Sequence, residues 1–194
     1  MDTPVAISQS EPLQFIGKTF GARAVCYIID VVILNVTTFV VSLVVGLMIG
    51  VALAILQITP HVREATLIEN VIYGIPLSIA YYFLFEWLYG ATPGKLILGM
   101  RVVKEDGSPC DARAAIVRAL FRYIDGIFFA LPAYSSMKAP LNQRLGDKSA
   151  KTIVVDQKQL VSGSQAWWRF AVAAALQLAF TSGVTLALLI GLIA

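Results

Sequence analysis

The chain has 194 residues, of which 58% are hydrophobic and only 14% are charged, and its mean hydropathy is +0.76. A soluble domain is about 45–50% apolar and about 25% charged, and a core of this size cannot remove such a surplus from water. The composition therefore predicts a membrane protein and excludes a soluble enzyme, a secreted disulfide scaffold and a nucleic-acid reader, so the net charge of +3 is interpreted as a marker of orientation.

Three apolar segments are long enough to cross a bilayer, which takes about 20 residues. They lie at residues 24–58, 67–89 and 167–194. The first is too long for one upright crossing and too short for two, so it predicts a single tilted or protruding helix that ends near Pro60. A membrane domain is expected over residues 17–156, with a flexible tail at 1–16 and a linker at 157–166.

Residues 112–137 predict an amphipathic helix that does not cross the membrane. Its apolar part, residues 124–137, is too short to span and contains Pro132. A crossing here would also move several lysines and arginines to the opposite side of the membrane. We therefore expect an interfacial or re-entrant helix, with Asp111 as its N-cap.

Two short segments on either side of this helix have the composition of β-strands. Residues 98–104 precede a turn-forming run around Gly107, and residues 151–156 follow later. The expected fold class is an all-α integral membrane protein with three transmembrane helices, the interfacial or re-entrant helix and a short cytoplasmic β-ribbon.

The basic residues predict the orientation. With a cytoplasmic N-terminus and three crossings, all 15 lysines and arginines except Arg63 lie on the cytoplasmic side. The prediction is a multi-pass protein of the cell membrane with its C-terminus outside.

Asp30 is the most informative ionisable residue, since a charge at the centre of a membrane helix costs about 2.5–3.5 kcal/mol. One interpretation places Asp30 in a cation or proton site, with Asn35 and the threonines that follow it as neutral ligands. The other makes Asp30 a structural anchor that pairs with a cytoplasmic arginine. Arg23 lies two turns away on the same helix face, about 10 Å distant, so each residue is expected to find its partner in another segment.

Three further acids, Glu86, Asp125 and Asp147, also lie in or near the predicted helices. Glu86 is either an interfacial carboxylate in an aromatic belt or a second acid facing the first across a helix pair. Asp125 is expected to form an exposed i,i+3 pair with Arg122. Asp147 follows a glycine and is expected in a turn or at a helix start, with Arg23 as a candidate partner.

The remaining patterns concern surfaces and chemistry. Arg113, Arg118 and Arg122 predict a basic helix face that binds anionic lipid. Small residues at Gly46 and Gly50 favour close helix contact, within or between subunits. With two cysteines, one histidine and no nucleophile–base arrangement, the sequence predicts no enzyme, no metal site and no cofactor.

Three motifs together resemble the RDD family of small membrane proteins, which is named for one arginine and two aspartates. They are Gly21-Ala-Arg23 through Asp30, Ala91-Thr-Pro-Gly-Lys95, and Arg144-Leu-Gly-Asp147. The best match places the arginine at Arg23 and the aspartates at Asp30 and Asp147. The resemblance covers about residues 15–156, so the last apolar segment is an addition to it.

The resemblance implies two hypotheses, because some members are described as sodium/proton antiporters and related domains occur in membrane-complex assembly factors. In the first, an oligomeric cation (Na⁺)/proton exchanger uses Asp30, with Glu86 as a second carboxylate; three spans are too few to enclose a path alone. In the second, a non-transporting scaffold or assembly factor uses Arg23, Asp30 and Asp147 as a structural charge network. The expected partners are the bilayer, anionic lipids, and either further copies or another membrane protein.

Overall fold

The computed structural model describes residues 15–160 and 166–193, without the side chains of residues 127–130. Its elements in chain order are α1 (Phe20–Ile55), α2 (Leu67–Leu88), α3 (Pro93–Ile97), β1 (Met100–Lys104), α4 (Ala112–Ser136), α5 (Leu145–Ser149), β2 (Thr152–Asp156), a short 3₁₀ turn (Gln157–Gln159) and α6 (Trp167–Ile193).

Three helices, α1, α2 and α6, are long and apolar enough to cross a membrane. They confirm the three transmembrane helices expected from composition. At about 1.5 Å per residue, the 36 residues of α1 extend for about 54 Å, which exceeds the roughly 30 Å hydrocarbon core. The single long helix predicted for the first segment is therefore present.

The ends of the long helices define two sides of the protein. Where α1 ends and α2 begins, the Arg63 backbone N–H donates to the Leu192 carbonyl near the end of α6, at 3.2 Å. At the other side, the rings of Tyr89 and Phe170 lie 5.2 Å apart, where α2 ends and α6 begins. We call this second side the ribbon end, because the two strands lie there; α2 runs antiparallel to α6.

The strands β1 and β2 form an antiparallel ribbon with Val102 opposite Val154. A two-stranded sheet alone is marginally stable. Here its buried face packs with Cys26 of α1 and Ala115 of α4, so the helices supply the missing core. The predicted ribbon is confirmed, and Gly107 sits in its turn with a positive φ of 83°.

Helix α4 begins as the sequence predicts and packs against α2 and α5. The Asp111 carboxylate accepts the Ala114 backbone N–H at 2.8 Å, which satisfies one of the free donors at the helix start. The helix continues through Pro132 as one 25-residue element. Its buried Ala115 and Ala119 permit close contact with its neighbours.

The folded membrane domain extends beyond the boundaries expected from the sequence. Phe15 is buried against Ile153 and Val155, and the Ile16 backbone N–H donates to Gln159 Oε1 at 3.0 Å. Residues 15–16 and 157–160, expected in a tail and a linker, are therefore part of the folded ribbon end, because Phe15 completes its apolar core. The rest of the tail and linker lies outside the described residues.

Candidate functional site

The ribbon end contains a buried network of charges centred on Arg118 of α4. Arg118 is fully buried; its Nε donates to Glu86 Oε2 at 2.7 Å, and its Nη1 donates to Asp147 Oδ1 and to Thr152 Oγ1. One guanidinium therefore joins a carboxylate of α2 to a carboxylate of α5. This connection was not predicted, since Arg118 was expected on a lipid-facing surface.

Glu86 is surrounded by cations. In addition to Arg118, it receives Lys95 Nζ at 2.6 Å and Arg122 Nη2 at 3.3 Å, and it has no exposed surface. The Arg122 guanidinium also lies over the ring of Tyr82, 3.4 Å from its centroid. The interpretation of Glu86 as an acid that faces another acid was wrong, because cations surround it, and its full burial among them was not predicted.

Asp147 binds three arginines. Arg23 of α1 and Arg118 of α4 donate to its two oxygens, and Arg144 lies 3.4 Å away and also donates its backbone N–H at 3.2 Å. The structure thus brings Arg23 and Asp147 together, as the sequence indicated. Burial alone would raise the pKa of Asp147, but the charges of Arg118, Arg23 and Arg144 hold it below its ordinary value.

Asp30 is held by neutral donors. Its Oδ1 accepts the Tyr81 hydroxyl at 2.9 Å and the Gly94 backbone N–H at 2.7 Å, and its Oδ2 accepts the Thr92 hydroxyl at 2.6 Å. The expected arginine partner was wrong: among the described residues, Asp30 forms no ion pair within 4 Å. It therefore connects α1 to α2 and α3 through hydrogen bonds.

The local sequence of α3 explains how these donors reach Asp30. Thr92 caps the helix, Pro93 occupies its first turn, and both leave the backbone N–H of Gly94 directed at the carboxylate. A Cβ atom on Gly94 would lie 2.4 Å from the Cys26 carbonyl oxygen and 2.9 Å from Asp30. Only glycine therefore permits this approach of α3 to α1.

Two other predicted site residues lie elsewhere. Asn35 is exposed and donates to the Val31 carbonyl of its own helix at 2.8 Å, so the structure does not bring it to Asp30. Arg113 is exposed, as expected for a basic surface.

The predicted basic membrane face was wrong for Arg118 and Arg122. Their side chains turn inward because Glu86 and Asp147 offer buried carboxylates there. The predicted pair of Asp125 with Arg122 was also wrong: Asp125 instead lies 3.4 Å from Arg144.

Sequence reasoning did not assign roles to several residues of the network. Lys95, Tyr81, Thr92 and Arg144 all contact a signature or network carboxylate. For Lys95, the signal in the sequence was the Thr-Pro-Gly-Lys run, in which a capping threonine, a proline and a glycine begin the short helix α3. Burial lowers the pKa of Lys95, although the charge of Glu86 opposes the change.

A cavity of about 280 Å³ lies beside the network, between α1, α4 and the start of α5. Its charged lining residues are Arg23, Asp30, Lys95, Arg122, Asp125 and Arg144. Among the residues described, no three His, Cys, Asp or Glu side chains are grouped so that they could hold a metal ion.

The three residues that carry the family resemblance therefore lie in one region of the ribbon end. Arg23 binds Asp147, and Asp30, two turns further along α1, binds the start of α3. The RDD family model matches residues 18–151. The chain belongs to the RDD family. This match includes every element from α1 to α5 and leaves α6 outside it, so the RDD region ends at the ribbon. No curated protein and no solved structure matches the chain significantly.

Proposed function

We propose that this RDD protein is a non-transporting membrane scaffold in which buried charges hold the ribbon end together. The observation that carries the proposal is the fully buried Arg118, which binds Glu86 and Asp147 at once. Because Asp147 also binds Arg23, the network connects α1, α2, α4 and α5. Buried ion pairs of this kind serve to specify one arrangement of segments.

The environment of Asp30 supports the same function. Three donors bind its two oxygens, one from α2 and two from the start of α3. The single carboxylate of Asp30 therefore connects α1 to both of these neighbouring elements. Such a residue is suited to a permanent connection between helices.

A scaffold also needs a surface for a partner, and the part of α1 that follows Asp30 offers one. None of the residues in its most apolar stretch is buried by the rest of the chain. A Cβ atom added at Gly46 or Gly50 would have no other group of the chain within 4 Å, so another helix could approach closely there. We infer that this face contacts a membrane protein, either a further copy or another chain.

Site-specific photo-cross-linking tests the scaffold. A benzophenone residue in place of Met48, which is 68% exposed, should form protein adducts in native membranes. Gly46→Ile with Gly50→Ile should abolish the adducts, whereas Gly191→Ile, at another open helical glycine, should retain them. Adducts with lipid alone would contradict the proposal.

A cation/proton exchanger is the second candidate, because Asp30 lines a cavity and has no ion partner within 4 Å among the described residues. In this function, Asp30 of an oligomer would alternate between a proton and a monovalent cation such as Na⁺. Proteoliposomes with a trapped pH dye test it by addition of Na⁺, K⁺ or Li⁺. Proton movement that Asp30→Asn abolishes and the exposed control Glu64→Gln retains would establish the exchanger; no movement with folded wild type would exclude it.

We propose a cytoplasmic N-terminus and an external C-terminus in the cell membrane. Every lysine and arginine except Arg63 lies before α1 or in its first turn, between α2 and α6, or by the start of α6, and all of these positions are at or near the ribbon end. Cysteine labelling tests the orientation because both native cysteines are buried. In intact cells, an impermeant maleimide should label Glu64→Cys and leave Asp106→Cys unlabelled; the reverse pattern would invert the orientation.

A further inference from the structure

The cavity beside Asp30 has more cationic than anionic groups on its wall. Four of its lining residues are basic, Arg23, Lys95, Arg122 and Arg144, and two are acidic, Asp30 and Asp125. Glu86, Asp147 and Arg118 lie in the network behind this wall, so the region as a whole has five cations and four carboxylates. One positive charge remains without an acid, which favours a monoanionic occupant.

The start of α1 adds to this potential. Phe20, Arg23 and Ala24 of its first turns line the cavity, Thr19 provides no side-chain cap, and the first turn contains no acid. The first turn of a 36-residue helix, which is the positive end of its dipole, therefore adjoins the cavity.

Two residues of the cavity lining each have a buried polar atom without a hydrogen-bond partner among the residues that the structure describes. These atoms are Arg122 Nε, a donor, and Asp125 Oδ1, an acceptor. The Asp125 side chain is only 3% exposed, and its other oxygen contacts Arg144 and the Gly146 backbone N–H. An occupant that satisfies both atoms needs an anionic oxygen for the arginine and a hydroxyl or ammonium donor for the carboxylate.

The remaining wall is apolar and reaches the exposed side of α1. Phe20, Ala133 and Met137 line it, together with Tyr27, which is 48% exposed on the transmembrane helix α1. At about 30 Å³ per water molecule, the cavity has room for about nine waters. This is far more than a bare monovalent ion requires and matches a headgroup with several non-hydrogen atoms.

We propose that this cavity binds a phosphate ester that carries a hydroxyl donor, of the kind found in a phosphatidylglycerol headgroup. The phosphate lies against Arg122, with Arg23 and Arg144 as neighbouring cations, and the hydroxyl donates to Asp125 Oδ1. Arginine matches the geometry of phosphate oxygens, and a lipid source explains the apolar wall beside Tyr27. The site goes beyond the scaffold function and does not depend on it.

Binding to the purified full chain in maltoside detergent tests the proposal. Three probes separate the sources and the chemistry: phosphatidylglycerol, phosphatidylmethanol, which is an anionic phosphodiester without the hydroxyl donor, and soluble glycerol phosphate. Affinity is measured by native mass spectrometry and by the shift in the thermal unfolding midpoint.

Variants locate the binding without removal of a network charge. Gly126 lines the cavity, and an added Cβ there meets no other group, so Gly126→Leu should fill the cavity and leave the fold intact. Gly74→Leu, at another open helical glycine outside the lining, is the matched control. We expect Gly126→Leu to weaken phosphatidylglycerol binding by about tenfold or more, with no change in the control.

Asp125→Asn tests the second contact, because the amide can still accept the Gly146 N–H while it presents a donor to the cavity. It should reduce the preference for phosphatidylglycerol over phosphatidylmethanol, because the two lipids carry the same charge and differ in the hydroxyl that Asp125 would accept. Tighter binding of phosphatidylglycerol than of glycerol phosphate supports a lipid source, and equal binding supports a soluble phosphate ester. The proposal would be overturned if neither phosphatidylglycerol nor glycerol phosphate binds, or if Gly126→Leu does not change their binding.

Discussion

Replacement of Asp147 by asparagine tests the role of the buried network most directly. The asparagine keeps the size and shape of the aspartate but removes its charge from between Arg23, Arg118 and Arg144. Because Asp147 has no exposed surface, water cannot reach this position to solvate the arginines that lose their carboxylate partner. We therefore expect a large loss of stability without a change of shape.

The expected magnitude follows from what each arginine retains. Arg118 keeps Glu86, and Arg144 keeps Asp125 at 3.4 Å, but the other described hydrogen bond of Arg23 goes only to the Asn142 carbonyl, at 2.9 Å. Loss of one partner from a buried pair costs about 3–5 kcal/mol, because it leaves an uncompensated charge. For a chain of this size, that corresponds to a decrease of about 6–20 °C in the unfolding midpoint.

The assay is thermal and denaturant unfolding of the purified protein in detergent, with circular dichroism as the readout. Glu64→Gln, at an exposed acid in the loop between α1 and α2, is the control and should stay within about 0.5 kcal/mol of wild type. The double variant Arg23→Gln with Asp147→Asn should lose less than the sum of the single variants, because both remove the same contact. A loss below about 1 kcal/mol for Asp147→Asn would refute the structural role of the network.

The stability difference between wild type and Asp147→Asn should also depend on pH. The pKa of Asp147 is lower in the folded protein than its unfolded value of about 3.9, so its contribution is complete above that pH and is lost as the pH falls further. The stability difference between wild type and Asp147→Asn should therefore be constant from pH 7 to about pH 5 and decrease below about pH 4. A difference that stays constant to pH 3 would contradict the charge-based explanation.

The close approach of α3 to α1 makes Gly94→Ala strongly destabilising, because its Cβ would lie 2.4 Å from the Cys26 carbonyl oxygen; Gly21→Ala, where an added Cβ meets nothing within 4 Å, should be harmless in the same unfolding assay. Equal stability of the two variants would contradict the packing of α3. The buried thiols of Cys26 and Cys110 should resist maleimide labelling in the native protein and react after denaturation, as mass spectrometry would show. Burial also raises the pKa of Cys110 to about 12, so its rate should stay low even at pH 9; rapid native labelling would indicate an open ribbon end.

Elements with a local cause were predictable from the sequence. The three transmembrane helices follow from long apolar runs, the β-ribbon from short β-prone segments beside a turn, and the start of α4 from Asp111. In each case the residues that determine the element lie within it or next to it. The family resemblance also rested on contiguous motifs, and the match over residues 18–151 confirms it.

The partners of the buried charges were less predictable, because they come from residues far apart in the chain. Arg118 was expected on a surface because its helix has an amphipathic pattern, yet it contacts Glu86 32 residues earlier and Asp147 29 residues later. A helical pattern separates polar from apolar faces, but it does not distinguish a polar face in water from one that meets buried carboxylates. Arg23 and Asp147, 124 residues apart, were paired only because each needed a partner from another segment.

The sequence by itself determined that the chain is a membrane protein, where its spanning helices lie and which family it resembles, since composition and contiguous motifs carry that information. The tertiary structure alone decided that Asp30 is held by Tyr81, Thr92 and Gly94 and that Glu86 is surrounded by cations. It also decided that a cavity with an excess of basic residues lies beside them. The physical reason is that the energy of a buried charge depends on which groups the fold brings within a few ångströms of it, and that proximity is a property of the packed helices.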